Sequence, residues 1–346
     1  MSTPSRPSLV RHWLALAEEL VGRAAPRLDA LNLFPVPDAD TGTNMLATLT
    51  AARTAADACP AQDDAGAVLA HAGAAALDSA RGNSGMLLAV SLAGMAEPLR
   101  GRERVDAFAL AAAFGAADRA ARQALSDPRE GTILTVLSAA ARSLARSSTQ
   151  APDTPAVAGD ADPAVRLGPA VTVMLADCVQ AVEETESLLA PLTRAHVVDA
   201  GAVGLLWVFE ALRAVVTGTP VDEELATALH GYVEGAHAAE GEPAAAAEAP
   251  TEGAVEVMGT LALTPLAAAE LRRRLTDVGD AVILAPVGTA RDAQGRVPWR
   301  VHVHVPRAED AIGPLRAAGD VEGLAVTDLA EPSHGDDAAP DGCHGR

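Results

Sequence analysis

The sequence contains no lysine: all 26 of its basic residues are arginine. That excludes a Walker-A phosphate lysine, a Schiff-base lysine and a lysine general base. Aromatic side chains are almost as scarce, with 3 Trp, 1 Tyr and 4 Phe in 346 residues. Cores must therefore be built from Ala, Leu and Val, whose small side chains let helices pack closely. The three cysteines, Cys59, Cys178 and Cys343, form no CxxC pair. Neither a disulfide framework nor a structural zinc knuckle is expected, and a reducing compartment fits. No uncharged apolar run reaches the ~18–20 residues needed to cross a bilayer, and residues 1–11 lack the apolar stretch of a signal peptide. The expectation is a cytoplasmic protein without membrane insertion.

Acid is what the chain has in excess. Its 46 acidic residues give a formal charge of −20. A field of that sign repels nucleic-acid backbones and anionic lipid, so no nucleic-acid partner is expected. An anionic ligand such as ATP would need metal ions and local backbone donors to offset the repulsion.

At roughly 100–200 residues per domain, the length predicts two domains. Apolar residues recur at spacings of three and four over 9–28, 45–57, 85–99, 105–125, 133–145, 167–184 and 204–216, predicting helices throughout residues 1–235. A Ser-, Thr-, Pro- and Asp-rich stretch at 147–162 reads as an exposed insertion within that domain. Residues 236–253, AHAAEGEPAAAAEAPTEG, read as an acidic linker. Residues 254–331 then alternate in type: strands at 255–263, 281–287, 297–305 and 324–329, with helices at 265–278 and 308–318. The order β-α-β-β-α-β predicts a split βαβ sandwich with helices on one face of an antiparallel sheet. Residues 332–346 read as a disordered tail. The expected fold is thus an all-α domain followed by a small α+β domain.

The segment LNLFPVPDADTGTNM, residues 31–45, is the richest in chemistry. Pro35 and Pro37 favour extended neighbours. In an extended chain Asp38 and Asp40 point the same way, offering two hard oxygen ligands suited to Mg²⁺. The competing reading is a helix-capping turn, since Asp and Thr are ordinary cap residues. Three more segments place small polar or Gly residues directly before an apolar helix: Arg81-Gly82-Asn83-Ser84-Gly85, Glu130-Gly131-Thr132 and Asp199-Ala200-Gly201. With Thr41-Gly42-Thr43-Asn44 they make four helix starts whose unpaired N–H groups, if they converge, form an anion cradle needing no lysine.

The stretches NLFPVPDADTGTNM, ARGNSGMLL, EGTILTV and VVDAGAVGL together resemble the nucleotide-binding L domain of the dihydroxyacetone kinase (DhaL) superfamily. The closest resemblance is to the N-terminal domain of fatty acid kinase A, over about residues 9–216. The resemblance implies an antiparallel helical barrel binding ATP or ADP through two Mg²⁺ ions. By that likeness Asp38 and Asp40 are the catalytic metal ligands, Thr41, Gly42, Thr43 and Asn44 hold phosphates, and Asn83 and Ser84 reach the nucleotide. Thr132, Ile133, Asp199 and Gly201 line its base and ribose side. Two departures stand out. Ala39 replaces the usual Gly between the aspartates, which is tolerable if its φ stays negative. His196 stands where Gly is common and receives no role.

Residues 254–331 resemble the middle domain of fatty acid kinase A through WRVHVHV. There, two His and one Cys can bind zinc. His302 and His304 are present, but the Cys position, near Met258, holds no thiolate, so zinc is not expected and histidines packed in an interface are the alternative. The domain that follows in that branch has no counterpart in these 346 residues. The run Arg272-Arg273-Arg274 reads as the solvated face of a helix, Asp78 and Arg81 as a helix-surface pair, and Trp207 and Phe209 as core. The function implied is Mg-ATP-dependent phosphoryl transfer to a fatty-acid carboxylate presented by a carrier protein, with a homodimer left open. The alternatives are an ADP- or ATP-binding regulatory module without turnover, or a kinase for another small molecule such as a glycerone-like substrate.

Overall fold

A computed structural model describes residues 6–60, 63–102, 105–149, 163–232 and 253–329. Most of the expected insertion and linker, and all of the expected tail, lie outside the described residues. The amphipathic runs form helices α1 (Arg6–Leu31), α2 (Thr41–Ala58), α3 (Ala65–Ser79), α4 (Gly82–Gly94), α5 (Ala96–Leu99), α6 (Ala107–Ala124), α7 (Ile133–Thr149), α8 (Pro163–Leu188), α9 (Ala190–Ala195) and α10 (Ala200–Thr217). Two of these escape periodicity. In α3, AGAVLAHAGAAALDS, alanine occupies every face, so helix propensity rather than amphipathic contrast decides the conformation. The other, α9, is a single six-residue element ending in a left-handed residue at His196, φ +55.

Helices α1, α2, α4, α6, α7, α8 and α10 each pack against the next and α10 closes back on α1, giving the helical barrel; α3 lies against α2 and α4. The interior is mostly Ala, Leu and Val, as the scarcity of aromatics requires. Several of the few rings are core pieces: Phe114 and Phe209 meet at 5.2 Å, and the Trp207 indole N–H donates to the Tyr232 hydroxyl at 3.1 Å. Helix α10 has the length and apolarity to cross a bilayer, yet 78% of it is buried inside the barrel. Its one acidic side chain, Glu210, is wholly buried and takes a two-pronged bond from Arg213, 2.6 Å on each oxygen. That pairing offsets the cost of placing a charge there.

The second unit comprises β1 (Val255–Leu263), α11 (Pro265–Thr276), β2 (Asp280–Pro286), β3 (Val297–Val305), α12 (Ala308–Ala318) and β4 (Val321–Asp328). The sheet order is β2-β3-β1-β4 with antiparallel neighbours, so β3 is inserted between β1 and β2 as a split βαβ requires. Strand alternation divides the sheet into two faces. Val257, Leu261, Val282, Leu284, Val301 and Val303 pack under α11 and α12. Met258, Ile283 and Ala285 join the core of the helical barrel instead. The polar side of the VHVHV alternation is an interface, the packing that the sequence offers as the alternative to zinc: Arg300, His302 and His304 are all buried.

The arginine run divides in the same way. Arg273 and Arg274 pair with Asp277 and Glu270 on the surface, as a solvated face predicts. Arg272 does not: its guanidinium donates to Gln123 O at 2.6 Å and Leu284 O at 3.1 Å, tying α11 and β2 to the end of α6. A backbone bond from Ser126 N to Val282 O, 3.0 Å, extends the same seam.

Candidate active site

The loop from Asn32 to Asp40 joins α1 to α2. Asn32 donates to Asp38 Oδ1 at 2.5 Å, and the carboxyl groups of Asp38 and Asp40 hydrogen-bond each other. They meet by a different route from the extended chain that the sequence suggests. Ala39 lies in the left-handed region at φ +55, and Asp40 follows at φ −129, ψ 2. A turn, rather than a strand pleat, brings the two carboxyls together, and the negative φ on which tolerance of Ala39 is conditioned is not met. A Cβ in that region costs about 1–2 kcal/mol. Ala39→Gly is therefore expected to stabilise the fold by about 0.5–1 kcal/mol after the added freedom of the unfolded chain is subtracted. A higher urea midpoint checks this; an unchanged or lower one contradicts it.

Asp40 occupies the N-cap position of α2, but its side chain makes no capping bond there. Capping falls to Asp29 on α1, whose carboxylate accepts from Gly42 N at 2.6 Å, Thr43 N at 3.1 Å and the Thr43 hydroxyl at 2.8 Å. Asp40 instead faces Asp38 and the Asn44 side chain. Burial, reinforced by the Asp40 charge, pushes the Asp38 carboxyl up to about 8; burial raises Asp40 as well. Two acids in such contact cannot both be charged unless a cation lies between them. Their hard oxygens fit Mg²⁺, which completes its shell from water and phosphate.

The cleft beside this pair is narrow and partly open to solvent, and is lined on the helical side by Asp38, Asp40, Thr41, Asn44, Gly82, Asn83 and Ser84. Of the four predicted helix starts, those of α2 and α4 line it, and those of α7 and α10 meet one another against Ser84. A Cβ on Gly82, which has φ +57, would lie 2.5 Å from Asn44 Nδ2, so the starts of α4 and α2 abut. A Cβ on Gly201 would lie 2.9 Å from Ser84 Oγ and 3.6 Å from Ile133 Cβ, so α4, α7 and α10 meet as well.

Their amides, however, do not stand unpaired as expected. Asp199 accepts from Ala202 N at 2.8 Å and from the backbone N–H groups of Ile133 and Gly201. The Thr132 hydroxyl accepts from Leu134 N at 3.3 Å. Gly42 and Thr43 are turned toward Asp29. Of the predicted residues, then, Thr132, Ile133, Asp199 and Gly201 lie behind Ser84 rather than on the cleft wall, and Gly42 and Thr43 face α1. At α2 and at the α7–α10 junction, a protein carboxylate takes the place the anion was expected to fill.

The small domain supplies the opposite wall with Glu256, His304 and residues 327–329. Of these, the sequence singles out His304 alone; nothing local points to Glu256 or residues 327–329, because they enter from across the domain interface. Glu256, His302 and His304 are buried, with ligand atoms all within 4.8 Å of one another. Met258 offers zinc no third ligand, but the fold places Glu256, two residues earlier on the same strand face, beside the histidines. A Glu/His/His set fits a zinc-type cation in donor type and number. Among protein groups, His302 Nδ1 donates to Ala281 O at 2.9 Å and Nε2 lies 2.8 Å from Glu256 Oε1. Burial opposes ionisation of Glu256, but His302 and His304 outweigh it and hold the acid down at about 2. Burial, aided by the neighbouring His302, pushes His304 down to about 3.

The site is thus a pair of touching carboxyls set beside the starts of α2 and α4 in a closed helical barrel. The chain matches the DAK2 domain over residues 35–214, just over half its length, and belongs to that family. It is 33% identical over 211 residues to Protein YloV of Bacillus subtilis (strain 168), covering 61% of this chain and 35% of YloV. It is 32% identical over 198 residues to an uncharacterized protein of Staphylococcus haemolyticus, covering 57% and 33%. The chain thus spans about a third of the length of these relatives. Among solved structures it is similar to the dihydroxyacetone kinase from C. freundii in complex with AMP-PNP and Mg²⁺ (TM-score 0.42, 18% identity, 62% of this chain and 35% of that one).

Proposed function

We propose that the chain binds a nucleoside triphosphate together with Mg²⁺ and transfers its terminal phosphoryl group. The observation that carries this reading is the Asp38–Asp40 contact, set in a cleft where the starts of α2 and α4 abut. Asp38 and Asp40 hold the metal, two ions by family resemblance, and Thr41, Asn44, Asn83 and Ser84 approach the phosphates. The metal supplies charge neutralisation between phosphate oxygens. The acceptor we propose is a fatty-acid carboxylate delivered by a carrier protein, on the strength of the sequence resemblance. Its oxygen forms a bond to the γ-phosphorus while the bond to the bridging oxygen breaks, and ADP departs with that electron pair. A carboxylate is already ionised near neutral pH, so the acceptor needs no general base, in keeping with a chain that has no lysine.

One observation favours a second reading, a nucleotide-loaded module without turnover: the Gly82 amide is held by Glu256 rather than left for a phosphate. Calorimetric titration with AMP-PNP, with and without Mg²⁺, followed by ADP release in the presence of a palmitate-loaded fatty-acid-binding protein, tests both. The kinase reading expects Mg²⁺-dependent binding and carrier-dependent ADP release. Binding without release supports the module, and absence of binding in Mg²⁺ overturns both.

A further inference from the structure

Helix α4 is capped unlike its neighbours. Helices α3, α6 and α10 carry their own cap carboxylates, Asp64, Asp106 and Asp199, each accepting from the amide three residues on at 2.7–2.8 Å. Helix α2 is served by Asp29 from the adjoining helix. Helix α4 follows Arg81, whose side chain makes no capping bond. The first amide of α4, Gly82 N, donates instead to Glu256 Oε1 at 3.0 Å, from the other domain and 174 residues away. Glu256 is only 8% exposed, lines the cleft and lies against His302. His304, 6% exposed, borders the same cleft with its Nδ1 in no hydrogen bond.

We propose that Glu256 is an internal stand-in for a phosphate group, so that nucleotide entry and docking of the small domain compete for the start of α4. This rests on the nucleotide reading of the cleft. A carboxylate and a phosphate oxygen are equivalent partners for a helix N-terminus, both anionic acceptors drawn to the same partial positive charge. They cannot share it, because two anions in contact in a cleft only partly open to solvent repel. The charge of Glu256 already reaches Asp40. A phosphate arriving at Gly82 therefore displaces Glu256 from the amide, and His302 loses the carboxylate against which it is packed. Since His302, His304 and Met258 lie on the face that seats the sheet against the barrel, displacement loosens that seat. By thermodynamic reciprocity, whatever nucleotide does to docking, docking does to nucleotide affinity.

The test uses the full chain, AMP-PNP and Mg²⁺. Glu256→Gln removes the charge at constant shape and is expected to tighten AMP-PNP binding roughly tenfold, within the usual range of such couplings. Glu256→Ala, with folding verified by melting and circular dichroism, covers the case in which the Gln variant fails to fold. In the wild type, saturating AMP-PNP is expected to speed amide exchange in β1. Wild-type binding with unchanged or weaker affinity in the folded variants, or β1 protection unaffected by ligand, overturns the stand-in and leaves the nucleotide reading intact. No binding by any form, the variants included, overturns both.

Discussion

Asp38→Asn and Asp40→Asn are each expected to lower Mg²⁺-dependent nucleotide turnover by at least about a thousandfold while leaving the melting temperature unchanged or higher. A metal ion bridging phosphates contributes several kcal/mol to the transition state, and each 1.4 kcal/mol is about tenfold in rate. In the absence of metal the same two groups are a liability: half-buried acids in contact, with Asp38 pushed up to about 8. A neutral amide removes that repulsion, so function falls while stability does not. A structural pair would behave in the opposite way, losing stability without a selective loss of turnover. ADP release and scanning calorimetry on the same samples separate the two. Undiminished turnover in either variant rejects the metal assignment.

The largest stability effect is expected at Asp199. Its carboxylate is the shared cap of α7 and α10, holding three backbone N–H groups in a buried site. Asp199→Ala leaves those donors unpaired, at a cost of roughly 3 kcal/mol, equivalent to a fall of about 6–12 °C in melting temperature. A loss below about 0.5 kcal/mol contradicts this role. The site also has a pH signature. Burial, opposed by the three backbone donors, lifts the Asp199 carboxyl to about 7 from an ordinary 3.8. The unfolded chain therefore releases this proton at lower pH than the folded one, and the proton-linked part of the group's contribution declines from about pH 4 to pH 7 and levels off above that. Asp199→Asn should flatten that part of the wild-type stability profile.

The contrast between these two acids marks how far the sequence could be read. The helices over 9–28, 105–125 and 133–145 are legible because apolar residues there recur at helical spacing; α3 is not, because alanine on every face leaves nothing to contrast. The sandwich order is legible from alternation and length alone. Asp38 and Asp40 are legible as a pair, but the turn that joins them is hidden, since Ala39 gives none of the warning a glycine would. The capping reading of PDADTG is right in kind and wrong in residue: the cap is Asp29, a turn of chain away on α1. Asp199 is found by its motif, yet its carboxylate serves the helices behind the cleft. Glu256 is invisible from sequence, for its partner at Gly82 is near only after both domains have folded. Local periodicity carries the scaffold, whereas side chains that meet across the fold carry the site's detail.

The two-faced sheet has a further consequence. Its unit, Val255 to Asp328, has the dimensions of a free-standing module, but only one side is sealed by its own helices. Cut away from the barrel, it would present Met258, Ile283 and Ala285 to water around a nest of buried histidines, an adhesive surface rather than a finished one. The small unit is better understood as a graft than as an autonomous fold, and a truncation that keeps it alone should aggregate where the longer chain does not.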